Sequence, residues 1–326
     1  MTRCLATMLL ALLLAAAAPP ATAADAVPVI LDTDLGDDID DTWALCMMLG
    51  LPGEIDLKLV VTAAHDTPSK TRLVAKMLDT LGRTEIPIGT GVKTADKPIN
   101  QAKWLGGYSL DQYAGTVHKD GVGALIDCIH ETSGPVVLCV IGPQTNIAAA
   151  LERDPTIAGK TRVVTMAGSV HTGYMGKPER DAEWNVRCDV DAARAVFDAP
   201  WEITMAPLDV CGTLRLEDSR YAAVAESKAP LASLVTENYT AWTNRHHHRE
   251  DASSILFDTV AAYLTFSEEL VDVETISLRI DDAGNTVPAA ENGRPVRCAM
   301  DWKDRPAFEQ LLVQALTEPA GPAAAK

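Results

Sequence analysis

The chain has 326 residues, of which 28 are Lys or Arg and 45 are Asp or Glu, for a formal net charge of −17 at pH 7. With 47% hydrophobic residues, 22% charged residues and a mean hydropathy of +0.04, it has the apolar content of a globular protein and lacks the short repeat of a fibre. The negative charge repels phosphate backbones and anionic lipid surfaces, and 5% aromatic residues leave little for stacking on bases, so nucleic-acid binding is not expected.

The first residues read as an address. Arg3 precedes an apolar run from Leu5 to Ala18, followed by Pro19-Pro20 and Ala21-Thr22-Ala23, which is the order of a secretory signal peptide with its small-residue cleavage site. Residues 1–23 are expected to be removed, leaving 24–326 as one domain in the periplasm or outside the cell. The apolar run is short for a membrane span, and Cys4 precedes it, which does not suit a lipid-modified cysteine. Cys46, Cys128, Cys139, Cys188, Cys211 and Cys298 remain, without a C-x-x-C pair. That spacing argues against a thiolate metal site and reads mostly as buried small hydrophobes. The compartment allows a disulfide, but spacing assigns none.

In the mature chain short apolar runs alternate with helical patterns. Strands are predicted at Val29–Leu31, Leu57–Thr62, Val136–Ile141, Arg162–Met166 and Ile203–Met205. Helices are predicted at Asp40–Leu49, Lys70–Leu81, Val122–Glu131, Thr145–Glu152 and Asp191–Phe197. Strand then helix, repeated, implies an α/β fold with an open, mainly parallel sheet flanked by helices. Beyond about Leu216 the pattern turns helical, at Tyr221–Ala225, Leu231–Trp242 and Ile255–Phe266. A late hairpin is predicted from Val273–Ile280 and Val296–Met300 around the turn-rich Asp281–Asn285, before a last helix at Ala307–Leu316.

Directly after the first strand stand Asp32, Asp34, Asp37, Asp38, Asp40 and Asp41, six aspartates within ten residues. At the carboxyl end of a strand in a parallel sheet such side chains face the ligand crevice. Helix capping would occupy one or two of them; six like charges call for a counter-ion, and a hard divalent cation such as Ca²⁺ accepts about 6–8 oxygen ligands. An EF-hand is rejected, because the twelfth loop position is Trp43 where a bidentate Glu is required. Asp32-Thr33-Asp34 also fits the D-x-D of haloacid-dehalogenase-like phosphatases, with Asp32 as nucleophile beside Mg²⁺.

Five segments in order then carry a resemblance. They are the Asp32/Asp34/Gly36/Asp40/Asp41 set, Gly142-Pro143-Gln144-Thr145-Asn146-Ile147, Ala182-Glu183-Trp184-Asn185 followed by Asp189-Val190-Asp191, Leu208-Asp209-Val210, and Phe257-Asp258-Thr259 opening a helix. Together they resemble the inosine-uridine-preferring nucleoside hydrolase family over nearly the whole mature chain. The resemblance implies hydrolysis of the N-glycosidic bond of a small-molecule ribonucleoside. It implies Ca²⁺ held by Asp34, Asp41 and Asp258 with the backbone carbonyl of Ile141, and Asp38 as an additional ligand. Asp34 is the implied base toward water, with an oxocarbenium-like transition state. Asp40, Asp66, Glu183, Trp184 and Asn185 are the implied sugar-binding residues, and a homodimer or homotetramer is the implied assembly.

Four departures from the family pattern stand out. Asp37 and Asp38 are extra residues. His65-Asp66 replaces a Gly-Asn pair, so the donor of the Asn is lost. Lys177 lies nearest to the place of a missing Asn. Phe257 stands where some members carry a His that helps the base to leave. His246, His247 and His248 are candidate substitutes, although a solvated helix end explains that run better; Tyr239 and Trp242 are candidates for a base-side wall. A secreted protein that binds nucleosides without turnover is the non-enzyme alternative.

Overall fold

A computed structural model describes residues 26–243 and 251–318. The predicted signal segment and His246–His248 lie outside the described residues. The described residues contain ten strands: β1 (Val27–Thr33), β2 (Ile55–Thr62), β3 (Ile88–Thr90), β4 (Val117–His118), β5 (Val136–Val140), β6 (Thr161–Met166), β7 (Ile203–Ala206), β8 (Val271–Ile280), β9 (Thr286–Pro288) and β10 (Arg294–Trp302). They form one sheet in the order β4-β3-β2-β1-β5-β6-β7-β10-β8-β9. All neighbours from β4 to β10 pair in parallel, and β8 pairs antiparallel with both β10 and β9.

The central strands are apolar without alternation because both faces are covered. In β1, Val29 and Leu31 enter one core layer while Ile30 enters the other. The helix after it, α1 (Asp40–Gly50), is buried along its whole length, which is why its sequence is apolar on every side beyond its first turn. It packs against the helices Phe257–Leu264 and Arg305–Thr317, and so brings Asp258 across to the aspartates that follow β1.

The five predicted parallel strands and the predicted helices are all present, with ends shifted by a few residues. Strands β3 and β4, with 3 and 2 residues, are too short to leave a pattern. The predicted hairpin is corrected to three strands. The turn at Asp281–Asn285 leads from β8 into β9, and β10 pairs on the other edge of β8. Among the described residues all six cysteines are free, and no helix is long and apolar enough to cross a membrane.

Strand β1 lies between β2 and β5. The order of connection reverses there, leaving a crevice outside the carboxyl ends of β1 and β5. The loop after β1 supplies the aspartates, and the loop after β5 supplies Ile141 and Gly142.

Candidate active site and metal centre

A cleft of about 390 Å³ opens at this switch point. It is lined by Asp34, Asp37, Asp38, Asp40, Asp41 and Asp258, by Ile141, Met166, Glu183, Trp184 and Asn185, and by Lys97, Asn100, Tyr174 and Phe257. Of the metal- and sugar-binding residues implied by the resemblance, all but Asp66 line it; the base-side candidates Tyr239 and Trp242 do not, and are buried in the hydrophobic core instead.

Carboxylate oxygens of Asp40, Asp41 and Asp258 lie within 4.8 Å of one another, and the three residues are 3%, 2% and 3% exposed. The N-cap of α1 is Ile39, with no side-chain capping bond, so capping does not account for Asp40 and Asp41. Asp41 accepts a hydrogen bond from the Thr33 hydroxyl. Burial, and then repulsion from neighbouring carboxylates, pushes Asp40, Asp41 and Asp258 well above the usual carboxylate range. Burial likewise raises Asp34 to about 7, with Lys70 opposing and Asp37 and Asp38 adding to the shift. Three buried hard-oxygen donors converging without a cationic side chain between them fit a hard divalent cation. The tight group includes Asp40, expected to contact the sugar, where Asp34 was expected; Asp34 and Asp38 stand beside it on the cleft wall.

Asp37 and Asp38 divide their work. Asp38 lines the cleft and caps the Ile39 N–H at 2.7 Å. Asp37 also collects nitrogen partners: Lys70 Nζ at 2.7 Å, Lys97 Nζ at 3.2 Å and His65 Nδ1 at 2.6 Å. Lys70 is fully buried, and it also donates to the carbonyls of Asp34, at 2.9 Å, and Ala63, at 3.0 Å. Burial would raise Asp37, but Lys70 and His65 outweigh it and hold the group below its ordinary value.

Asp66 is a correction. Its carboxylate accepts from Ser69 Oγ at 2.5 Å and pairs with Lys93 at 3.3 Å, on the wall of a neighbouring pocket with Arg72 and Asp96. Asp32 is another, as regards the phosphatase reading. It is 1% exposed, does not line the cleft, and accepts from Asn146 Nδ2 at 2.7 Å. A nucleophile must be reached by substrate, and this one is walled in.

Glu183 and Asn185 are built into the frame as well as the cleft. Glu183 caps the short helix Trp184–Cys188 by accepting from the Asn185 and Val186 N–H groups, and it also accepts from the Gly168 N–H at 3.0 Å. Asn185 Nδ2 donates to the carbonyls of Ile141, at 2.9 Å, and Met166, at 3.1 Å. Both of its donors are thereby used, so its Oδ1 is the atom left for a sugar hydroxyl. The Ile141 carbonyl, expected to face a metal, keeps one lone pair beyond the Asn185 bond. Trp184 is 39% exposed and stands at the cleft mouth.

Lys97, Asn100 and Tyr174 had no signal in the sequence. The first two lie on the irregular segment after β3, which is tied to the acidic loop: Asn100 Nδ2 donates to the Asp37 carbonyl, Asn100 N–H to the Gly36 carbonyl and Gln101 Nε2 to the Asp38 carbonyl.

Comparison with known proteins gives a consistent result. The description of the family "Inosine-uridine preferring nucleoside hydrolase" matches residues 29–313. The pyrimidine-specific ribonucleoside hydrolase of Enterobacter sp. (strain 638) is 34% identical over 233 residues, covering 65% of this chain and 69% of that protein. Its counterpart in Escherichia coli O127:H6 is 32% identical over 229 residues, covering 65% and 70%. Among solved structures, a plant nucleoside hydrolase superposes with a TM-score of 0.76 at 22% identity, over 90% of this chain and 99% of that one. A purine-preferring ribonucleoside hydrolase from Gardnerella vaginalis superposes with a TM-score of 0.72 at 22% identity, over 91% and 100%. At such identities the superpositions speak for the fold alone.

Proposed function

We propose, from the premise that this chain belongs to the inosine-uridine preferring nucleoside hydrolase family, that it cleaves the N-glycosidic bond of a ribonucleoside to ribose and free base. The observation that carries this reading is the buried Asp40–Asp41–Asp258 group beside Asp34 at the β1/β5 switch point. We take the cation to be Ca²⁺ because all the converging donors are hard oxygens. Such an ion, when bound, lowers the pKa of water and offers positions to vicinal hydroxyls.

The residues then divide the reaction. Asp34, on the wall beside the group, takes the proton from the attacking water. The carboxylates of Asp38 and Asp40 favour the positive charge that develops on the sugar ring. Asn185 Oδ1 accepts from a sugar hydroxyl, and Trp184 provides an apolar face at the mouth. The relatives include pyrimidine-specific and purine-preferring enzymes, so the proposal names no base. It does extend to export of residues 24–326 to the periplasm or medium and to a homodimer or homotetramer; cell fractionation and light scattering test these two points.

The direct experiment is to incubate purified protein with a panel of purine and pyrimidine ribonucleosides, with Ca²⁺ and with chelator, and to measure reducing sugar and free base. Calcium-dependent release is expected. Tight nucleoside binding without product would establish a binding protein instead.

A further inference from the structure

The proposed reaction leaves an electron pair on the departing base, and Phe257 at the cleft wall has no proton to meet it. Among the described residues lining the cleft, Lys97 is the sole cationic side chain. Tyr174 also carries a proton, but its hydroxyl is engaged between the Trp184 N–H, at 2.8 Å, and Glu183 Oε1, at 3.5 Å. Lys97 is held in place from two sides. Its Nζ lies 3.2 Å from Asp37 Oδ1 and 5.8 Å from the centroid of the Trp184 ring. Its loop is fixed to the acidic loop by Asn100 and Gln101. Asp37 in turn is anchored by the buried Lys70, so the ammonium is backed by a carboxylate that remains charged.

Floor and mouth of the cleft differ in chemistry. A ribose whose hydroxyls face Asp40, Asp41 and Asp258 projects its base outward, toward the exposed indole of Trp184 and the Lys97 ammonium. Resting on the reading above, we propose that Lys97 is the catalytic acid that protonates the leaving base. As the C1′–N bond breaks, its electron pair goes to the base nitrogen, which takes a proton from Lys97. Water forms the new C1′–O bond and gives its proton to Asp34. Proton exchange with solvent returns Lys97 to its ammonium form and Asp34 to its carboxylate, and no oxidant or reductant is needed.

The test compares a nucleoside with 4-nitrophenyl β-D-riboside, whose leaving group departs without a proton, in wild type, Lys97→Met and Lys97→Arg, each saturated with Ca²⁺. Lys97→Met is expected to lower kcat for the nucleoside by about 10²–10⁴-fold relative to kcat for the nitrophenyl riboside, the range of a lost general acid. Lys97→Arg should recover little of it, because a guanidinium does not give up its proton. Equal losses on the two substrates would show a merely structural lysine, and no loss on either would equally overturn the assignment. Wild-type protein that cleaves neither substrate would instead refute ribonucleoside hydrolysis itself.

Discussion

Asp37 and His65 meet beside the cleft, Oδ2 to Nδ1 at 2.6 Å. Asp37 also pairs with Lys70 and Lys97, and His65 sits at a backbone φ of 49°, next to Ala64 at 58°. A histidine in the left-handed region costs about 1–3 kcal/mol, and the bond to Asp37 offsets part of that cost. The carboxylate and the strained turn are thus energetically linked.

Removing the two partners has unequal consequences. Asp37→Ala deprives the fully buried Lys70 of its carboxylate, and breaking such a pair costs about 3–5 kcal/mol. His65→Gly loses one partly exposed bond but relieves the strain, so its net change is expected within about 1 kcal/mol. Urea denaturation of the two variants checks this. An Asp37→Ala variant as stable as wild type would mean that Lys70 is satisfied by the Asp34 and Ala63 carbonyls alone.

Asp40 provides a sharper test of the metal centre. If it is a ligand with Asp41 and Asp258, Asp40→Asn should weaken Ca²⁺ binding by an amount comparable to Asp41→Asn, on the order of 10–100-fold or more. If it contacts only sugar, calorimetric titration should show the ion bound as in wild type and only KM should rise. The geometry favours the first outcome.

The same carboxylates set a pH dependence. Unfolded carboxylates titrate near pH 4, whereas burial pushes Asp32 and Asp34 up to about 7 and holds Asp40, Asp41 and Asp258 well above the usual carboxylate range. Between those limits the folded chain, stripped of cations, binds more protons than the unfolded chain, so its stability falls as pH rises. Paired surface carboxylates such as Asp154, lowered to about 2, have finished titrating below this window. The melting temperature of chelated protein is expected to decline from about pH 5 to 8. Ca²⁺ should restore it most at the alkaline end, with protons released on binding. A melting temperature that climbs over that window in chelator would contradict the burial of these groups.

How much of this was readable from the chain depends on the range of the interactions. β1 and β5 were legible because burial on both faces makes continuous apolar runs, and the aspartates because so many like charges have few structural uses. Lys97 was not, since residues 91–101 have no period and are placed by bonds such as Asn100 to the Asp37 carbonyl, 63 positions away. Asp40 was grouped with the sugar on the resemblance alone; that its carboxylate lies within 4.8 Å of those of Asp41 and Asp258 is set by the packing of a second helix on α1, which leaves no local pattern. Asp66 was misplaced for a related reason: shortly after β2 the chain turns through Ala64 and His65 in the left-handed region, which carries the next carboxylate to Ser69 and Lys93.

Gly142 offers a final test of the catalytic geometry without touching a charged group. It follows β5, and a Cβ built on it would lie 2.8 Å from the Asp34 backbone nitrogen and 3.1 Å from both Asp34 Cβ and Asp34 Oδ1. The nearest of these is backbone held in the sheet margin, so Gly142→Ala must displace Asp34 relative to the floor of the cleft. A shift approaching 1 Å costs on the order of 10²-fold in rate when orientation controls the reaction. Gly142→Ala is therefore expected to lower kcat by about 10–100-fold. Because the tight carboxylate group is Asp40, Asp41 and Asp258, affinity for Ca²⁺ should change far less than kcat. Steady-state kinetics at saturating Ca²⁺, with a calorimetric titration of the same preparation, separates these effects. Wild-type kcat in this variant would show that the reaction does not depend on where Asp34 stands, and would remove it as the base.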